Sequence, residues 1–249
     1  MNGPVKSAAR VLDILEFFCT IDEPIGVTEL ALRLDIPKSS AQALLLTLAR
    51  RGYLTRDDSL YRMPEEIKPL WDGGARVRLL GIAEPQMQAM VDETGESAFL
   101  GVLTSTLKVQ YLAKVSSPNA IRYDASLAPL RPAHCTSIGL AILAYSPRYP
   151  FDREILQAFT PHTVVDPEEL RRILEAARKA GFAEVRDGHV EGASGVSAPI
   201  FGRDGKAIAA VNIGAPTWRY DRNRSHLITV VQDAAARLST ELGAVPGKN

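Results

Sequence analysis

The residues best suited to chemistry fall in three places. Lys38, Ser39, Ser40 and Gln42 are bunched directly after Pro37. Gln can bond adenine through two hydrogen bonds, Ser can bond several base edges, and Lys suits a phosphate. His134 and Cys135 are adjacent and invite a thiolate nucleophile. On a strand, however, neighbours point to opposite faces and cannot pair, so Cys135 reads as a small buried residue. Ser137 stands near the start of an expected helix, whose free N–H groups favour a carboxylate. Asn212 interrupts the apolar run AIAAVNIG and shares a strand face with Ala210 and Gly214. It suits a pocket wall, or an amide satisfied by nearby backbone.

Asp187, His189 and Glu191 alternate like a strand face. They read first as a solvated loop and second as polar ligand contacts. His134, His162, His189 and His226 lie far apart with no paired ligand spacing, so no metal and no cofactor are expected.

The elements that must position the first group begin with a helix over Val5–Thr20, with Val11, Leu15 and Phe18 on one apolar face. Asp22, Glu23, Pro24 and Gly26 end it in a loop. Thr28 is expected to cap a second helix that turns Leu30, Ala31 and Leu34 inward. Asp35 stands where the chain must turn and tolerates left-handed backbone, and Pro37 forces a fresh start. The third helix has Ala41, Leu44, Leu45 and Leu48 inside and Ser39, Ala43, Leu46 and Arg50 opposite. Gly52 closes it. Tyr53–Thr55 and Leu60–Arg62 then pair around Asp57, Asp58 and Ser59. Helix, turn, helix and hairpin form a unit whose second helix enters a DNA groove.

Bulk charge does not announce this: the 249 residues carry 29 basic and 29 acidic side chains. Locally, though, no acid occurs between Ile36 and Arg56, while Lys38, Arg50, Arg51 and Arg56 are basic. A short positive stripe is what a small DNA contact surface needs, and an ordinary solvated helix end is the alternative. Apolar content of 46% and charged content of 23% fit a soluble globular protein. The sequence lacks a long apolar run of membrane or signal-peptide type. Two cysteines make no disulfide framework, so the expected location is the cytoplasm.

Pro64 to Thr94 reads as linker: a short helix ending at Asp72, Gly73 and Gly74, a hinge there, and a second helix from Ala75 bent at Gly81 or Pro85. Beyond Gly95 the pattern becomes an α+β domain. Strands are expected at 98–103, 107–115, 121–124, 182–186, 196–202 and 206–214. Helices are expected at 136–145, 152–159, 166–180 and 221–242.

Together these segments resemble the IclR family of bacterial transcriptional regulators. SAARVLDILEFF, VTELALRLDIPKSSAQALLLTLARRGYL, RPAHCTSIGLAILAY, PHTVVDPEELRRILEAARKAGF and APIFGRDGKAIAAVNIGAP occur in the family's order and spacing. The resemblance implies an α+β two-domain protein: an N-terminal winged helix-turn-helix over 1–63, linker helices over 64–94 and a GAF-like effector-binding domain over 95–249. It implies homodimers joined through the N-terminal domain, often paired into homotetramers, on an operator of two related half-sites. A small organic acid, aromatic or short-chain, is the implied effector. The chain departs from the family's pattern at Ala43, Leu46 and Leu140, and has Ser194 and Gly195 near the family's usual Cys.

The expected DNA contacts are Lys38, Ser39, Ser40, Gln42 and Thr28, with Arg10, Arg51, Arg56 and Arg62 on phosphate or flanking groove. By family position, the effector pocket is lined by Thr136, Ser137, Ile138, Gly192, Ser194, Gly195, Val196, Asn212 and Gly214. The competing reading is an enzyme, for instance a hydrolase with a helical appendage, and a third is a pure oligomerisation module. An enzyme would need a nucleophile with a base, or a metal cluster, and the sequence displays neither.

Overall fold

Pro37 and the residues around it fix the N-terminal architecture. The structure, a computed structural model, describes residues 5–19, 21, 23–64, 68–104, 106–146 and 156–244, with side chains from 78 onward in the helix that begins at Lys68. Contacts divide the chain into two compact units, 1–79 and 80–249.

In the first unit, helix α1 (Lys6–Cys19) is followed by strand β1 (Ile25–Gly26) and helix α2 (Val27–Arg33). Helix α3 (Lys38–Arg50) comes next, then strands β2 (Thr55–Asp57) and β3 (Leu60–Arg62). Asp35 takes a left-handed φ of 49°, the conformation the turn between α2 and α3 demands. Pro37 is the N-cap residue of α3. Gly52 has φ +79° just past α3 and its N–H bonds the Ala49 carbonyl. Ile14, Leu15, Phe18, Leu30, Ala41, Leu45 and Leu48 pack with Leu54 and Tyr61 into one core. Leu45 is wholly buried there, so Leu45→Ala should cost about 2–5 kcal/mol.

Three expectations need correcting in this unit. Ile25 and Gly26 are not merely loop: they form β1, which pairs with β3, giving the order β1-β3-β2. That pairing draws the start of α2 back to Val27 with Gly26 as N-cap, so Thr28 sits inside the helix and caps nothing. β2 starts at Thr55, leaving Tyr53 in the preceding turn. Thr20 and Asp22 lie outside the described residues.

The linker also differs. One helix, α4 (Lys68–Thr94), replaces the expected pair and runs unbroken through Gly73, Gly74, Gly81 and Pro85. Residues 65–67 lie outside the description. Met87, Met90 and Val91 are buried on its second half, and this burial offsets the helix-weakening glycines and proline.

The second unit holds a six-stranded antiparallel sheet in the order β6-β5-β4-β9-β8-β7. Its strands are β4 (Ser97–Leu103), β5 (Lys108–Val115), β6 (Arg131–Pro132), β7 (Ala183–Arg186), β8 (Ala193–Phe201) and β9 (Ala207–Pro216). Helices α5 (Ser137–Leu143) and α6 (Pro167–Ala180) share a core with Phe99, Val109 and Ala210 on one sheet face. Helix α7 (Thr217–Glu241) packs along β8 and β9. β9 is buried on both sides: Ala210 and Asn212 alternate with Val211 and Ile213. α6 has the capping its sequence promised, with the Asp166 side chain accepting from the Glu168 N–H and Gly181 left-handed at φ 76°.

Residues 121–124 form no strand; β6 takes the edge beside β5 instead. Of the helix expected at 152–159, residues 156–159 are not helical and the rest lie outside the description. α5 ends at Leu143, two residues early, and α7 starts four residues early, at Thr217. His134 and Cys135 sit on a short 3-10 turn (Ala133–Cys135) rather than a strand.

Candidate functional site

The N-terminal unit presents a groove between the recognition helix and the wing. It is lined by Gly26, Val27, Thr28, Glu29, Lys38, Gln42, Ser59 and Leu60. Thr28, Lys38, Ser39 and Gln42 are exposed and Ser40 is half-buried. The first turns of α3 thus stand open beside the wing, the placement base contact requires. Thr28 reaches this groove although it caps no helix. Ser59 and Glu29 were missed from the sequence. Glu29 is an acid on the groove's edge, and Arg33 one turn on pairs with it.

The arginines are spread more widely. Arg51 is the C-cap residue of α3, the far end from Lys38 and about 20 Å along a helix of this length. Arg56 is folded onto its own hairpin: its Nε donates to the Asp58 carbonyl at 2.7 Å and its guanidinium lies over the Tyr61 ring. Arg62 is exposed on β3 and Arg10 half-buried on α1. Ala43 is exposed and Leu46 half-buried on α3, so part of the outward face is apolar.

The second unit has a half-open cavity of about 40 Å³ beside α5. Thr136, Ser137, Ser194, Gly195, Asn212 and Gly214 line it, as do Tyr111, Tyr123, Cys135, Val185, His189, Val190 and Ala193. Six of the nine expected positions therefore meet at one place. Ile138 does not: its side chain packs on the sheet at Gly101, where a Cβ would stand 3.1 Å from it. Val196 is fully buried on the opposite strand face from Gly195, offering only its carbonyl. Gly192 lies in an exposed turn with φ +80° and donates its N–H to Asp187 Oδ1.

Polar groups in this cavity are directed by their neighbours. Asn212 Nδ2 donates to the Val196 carbonyl at 2.9 Å, and its other hydrogen is shared between Ser137 Oγ at 3.0 Å and Ser197 Oγ at 3.1 Å. A carbonyl only accepts, which fixes the amide's orientation and leaves Oδ1 as acceptor. Ser197 also donates to Ser137 Oγ, at 2.9 Å, so Ser137 keeps its own proton for another partner. Thr217 donates to Asp187 Oδ1 at 2.7 Å. Its single proton is thereby used, so Ser194 donates to Thr217 and retains lone pairs. Thr136 caps α5, accepting from the Gly139 N–H.

Gly214 and Gly195 are small for a reason. A Cβ on Gly214 would stand 2.7 Å from Tyr123, and one on Gly195 would stand 3.0 Å from Asn212 Nδ2. Arg131, 6% exposed, lies behind Tyr111 with its guanidinium 4.1 Å from the ring centre. Burial pushes the Tyr111 and Tyr123 phenols up, so both are protonated donors. Burial first, then the Arg131 and His134 charges, pull His189 down and keep its ring neutral.

Cys135 gives no nucleophile. Burial raises its thiol to about 12, so no thiolate forms at neutral pH. His134 bonds the Gln157 carbonyl through Nε2 at 3.0 Å, a structural link. Asp187 is a loop anchor, not a solvated side chain, since it accepts from both Gly192 and Thr217. Among the described residues, no group of three metal-binding side chains occurs.

Tyr111, Tyr123 and Arg131 escaped the sequence reading. Tyr123 lies in an irregular stretch where no periodicity signals inward direction. Tyr111 shares a strand face with buried Val109, a pattern that marks core as readily as a pocket.

A winged helix-turn-helix followed by an antiparallel α+β domain with a small polar cavity is the layout of a DNA-binding transcriptional regulator with an effector domain. Residues 7–58 match the IclR helix-turn-helix domain, and residues 75–240 match the C-terminal domain of the bacterial transcriptional regulator IclR. This chain belongs to the IclR family. It is 30% identical to the HTH-type transcriptional regulator BhcR of Paracoccus denitrificans, over all of this chain and 90% of that one. It is 28% identical to KdgR of Escherichia coli, over 96% of this chain and 93% of that one. An IclR homologue of Microbacterium hydrocarbonoxydans solved with 4-hydroxybenzoate is similar in structure, at TM-score 0.62 and 28% identity, covering 95% and 98% of the two chains. These relatives are regulators, and this chain is a transcriptional regulator of the same family.

Proposed function

We propose that the protein is a ligand-responsive, sequence-specific regulator acting on a double-stranded operator in the cytoplasm. Lys38, Ser39, Ser40 and Gln42 read and position the operator, with Thr28 at the groove edge and Arg10, Arg51, Arg56 and Arg62 on flanking phosphate. A homodimer, or a pair of dimers, spans two half-sites. A small organic acid occupies the cavity beside α5, and Thr136, Ser137, Ser194, Gly195, Asn212 and Gly214 form its walls. Residues 64–94 connect the DNA-binding domain to the effector domain. The effector acts only through a difference in its affinity for two arrangements of the paired protein.

The observation carrying this reading is the open groove in which Lys38 and Gln42 face the wing, on the same chain as a half-open cavity with polar groups in its wall. The test is a mobility-shift comparison between the promoter fragment and random DNA. Gln42→Ala should weaken the promoter complex by about 1–3 kcal/mol and the random complex much less. Arg51→Ala should weaken both alike and lower the salt slope by about one. Equal losses on both DNAs for Gln42→Ala would remove base reading from α3.

A further inference from the structure

Phenols line one end of the cavity with a buried charge behind them, and the other end holds the Asn212 and Ser194 acceptors beside the Ser137 hydroxyl. At one end Tyr111 donates its hydroxyl hydrogen to Tyr123, whose own hydroxyl hydrogen is left for the cavity. Arg131 is buried behind them. Its guanidinium donates to the Pro129 carbonyl at 2.9 Å and the Ser126 carbonyl at 2.6 Å and stacks on Tyr111. Among the described residues no carboxylate pairs with it, and none lines the cavity. Backbone carbonyls satisfy its hydrogens without cancelling its charge, so its field reaches across the phenols into the cavity. At the other end Asn212 Oδ1 and Ser194 Oγ offer lone pairs, because their hydrogens are already committed.

The Tyr123 ring lies against Gly214, two residues along β9 from Asn212 on the same face, so the phenol and the amide border one short stretch of strand. The volume sets a size. About 40 Å³ holds about three waters, less than an aromatic ring needs.

We infer that this cavity takes a short aliphatic hydroxy acid. Its carboxylate lies at the Tyr123 hydroxyl in front of Arg131, and its hydroxyl donates to Asn212 Oδ1. Arg131 acts through the phenols and is a positioning residue. Neutral polyols lack the charge that Arg131 favours. Plain fatty acids leave Asn212 Oδ1 unpaired, and aromatic acids exceed the space. This inference rests on the effector reading above but selects within it.

Calorimetry on the full-length protein with glycolate, lactate, propionate, glycerol and 4-hydroxybenzoate tests it. Glycolate or lactate should bind at least about tenfold more tightly than propionate, with glycerol and 4-hydroxybenzoate weaker still. Arg131→Met should lower hydroxy-acid affinity by about tenfold or more, while Arg131→Lys keeps part of it. Tyr123→Phe removes one hydroxyl without changing shape, so it serves if Arg131→Met fails to fold; it should lose affinity for both acids. Asn212→Ala should erase the preference for lactate over propionate. Tightest binding by 4-hydroxybenzoate or glycerol overturns the inference, as does no detectable binding of either hydroxy acid at about 10 mM. Unchanged affinity in both Arg131→Met and Tyr123→Phe also overturns it. A mobility-shift assay with the same ligands separates the two levels. Hydroxy acids that bind without moving the operator complex leave this site standing and sink the regulatory coupling. A complex released only by a different ligand does the reverse.

Discussion

His189 shows how a single side chain acquires properties its sequence position does not declare. Its ring lies 5.0 Å from Phe159 and lines the cavity. Burial is the first cause of its lowered pKa, and the Arg131 and His134 charges add to it. In the unfolded chain the same imidazole titrates near 6.5. The unfolded state therefore takes up the proton first as pH falls, and stability declines below about 6.5 until the folded pKa is also passed. His189→Gln cannot charge, so its melting temperature should fall less steeply than the wild type's between pH 7 and pH 5, with a gap of a few degrees at most because the ring is half-exposed. Melting curves recorded across that range decide it; parallel pH profiles would show that His189 contributes nothing to the acid sensitivity. At this scale the sequence was most legible where a residue type answers a backbone demand. Asp35 and Gly52 fill left-handed positions, and Asn212 was conspicuous as one amide in an apolar strand. Tyr123 was not legible, because its direction is set by a glycine 91 positions away in sequence, Gly214, whose missing side chain makes the room.

At the scale of elements, local signals gave the helices well and long-range pairing gave the surprises. The caps of α6 and the turn before α3 are encoded within a few residues of themselves. β1 is two residues long and exists only because β3, 35 positions later, offers an edge to Ile25 and Gly26. β6 forms in the same way against Lys108 and Val109. The linker is the instructive failure. Paired glycines at 73 and 74 suggest a break, yet α4 runs through them. Each glycine weakens a helix by about 0.5–1 kcal/mol relative to alanine, which is too little to end one anchored by buried Met87 and Met90. The double substitution Gly73→Ala with Gly74→Ala should therefore stabilise the protein by about 1–2 kcal/mol and leave the effector response in place. Chemical denaturation and an effector-dependent mobility shift measure both halves. A response lost in the stabilised variant would restore the hinge and show that α4 must open there to transmit the signal.

For the whole molecule, the proposed reading gives the two units separate tasks, and what couples those tasks is a free energy. The DNA groove lies in residues 1–79 and the polar cavity in residues 80–249. Zero net charge holds within each unit: residues 1–79 carry 11 basic and 11 acidic side chains, so the positive stripe from Lys38 to Arg56 is local and is offset inside the same unit. If a ligand changes operator affinity by a given factor, the operator must change the ligand's affinity by that same factor, in the same direction, because both paths close one thermodynamic cycle. Couplings of this kind usually amount to about 1–3 kcal/mol, or about 5- to 150-fold. Calorimetric titration of a hydroxy acid into free protein and into the protein–operator complex should thus give two dissociation constants. Their ratio should match the ratio of operator affinities measured with and without the acid. Asn212→Ala, which lowers ligand affinity in both states of the protein, should shift the ligand concentration needed for half the response while leaving that ratio near its original value. A ratio that collapses to one in Asn212→Ala would instead mean that the amide distinguishes the two states, and that the cavity is itself the element whose equilibrium the operator biases.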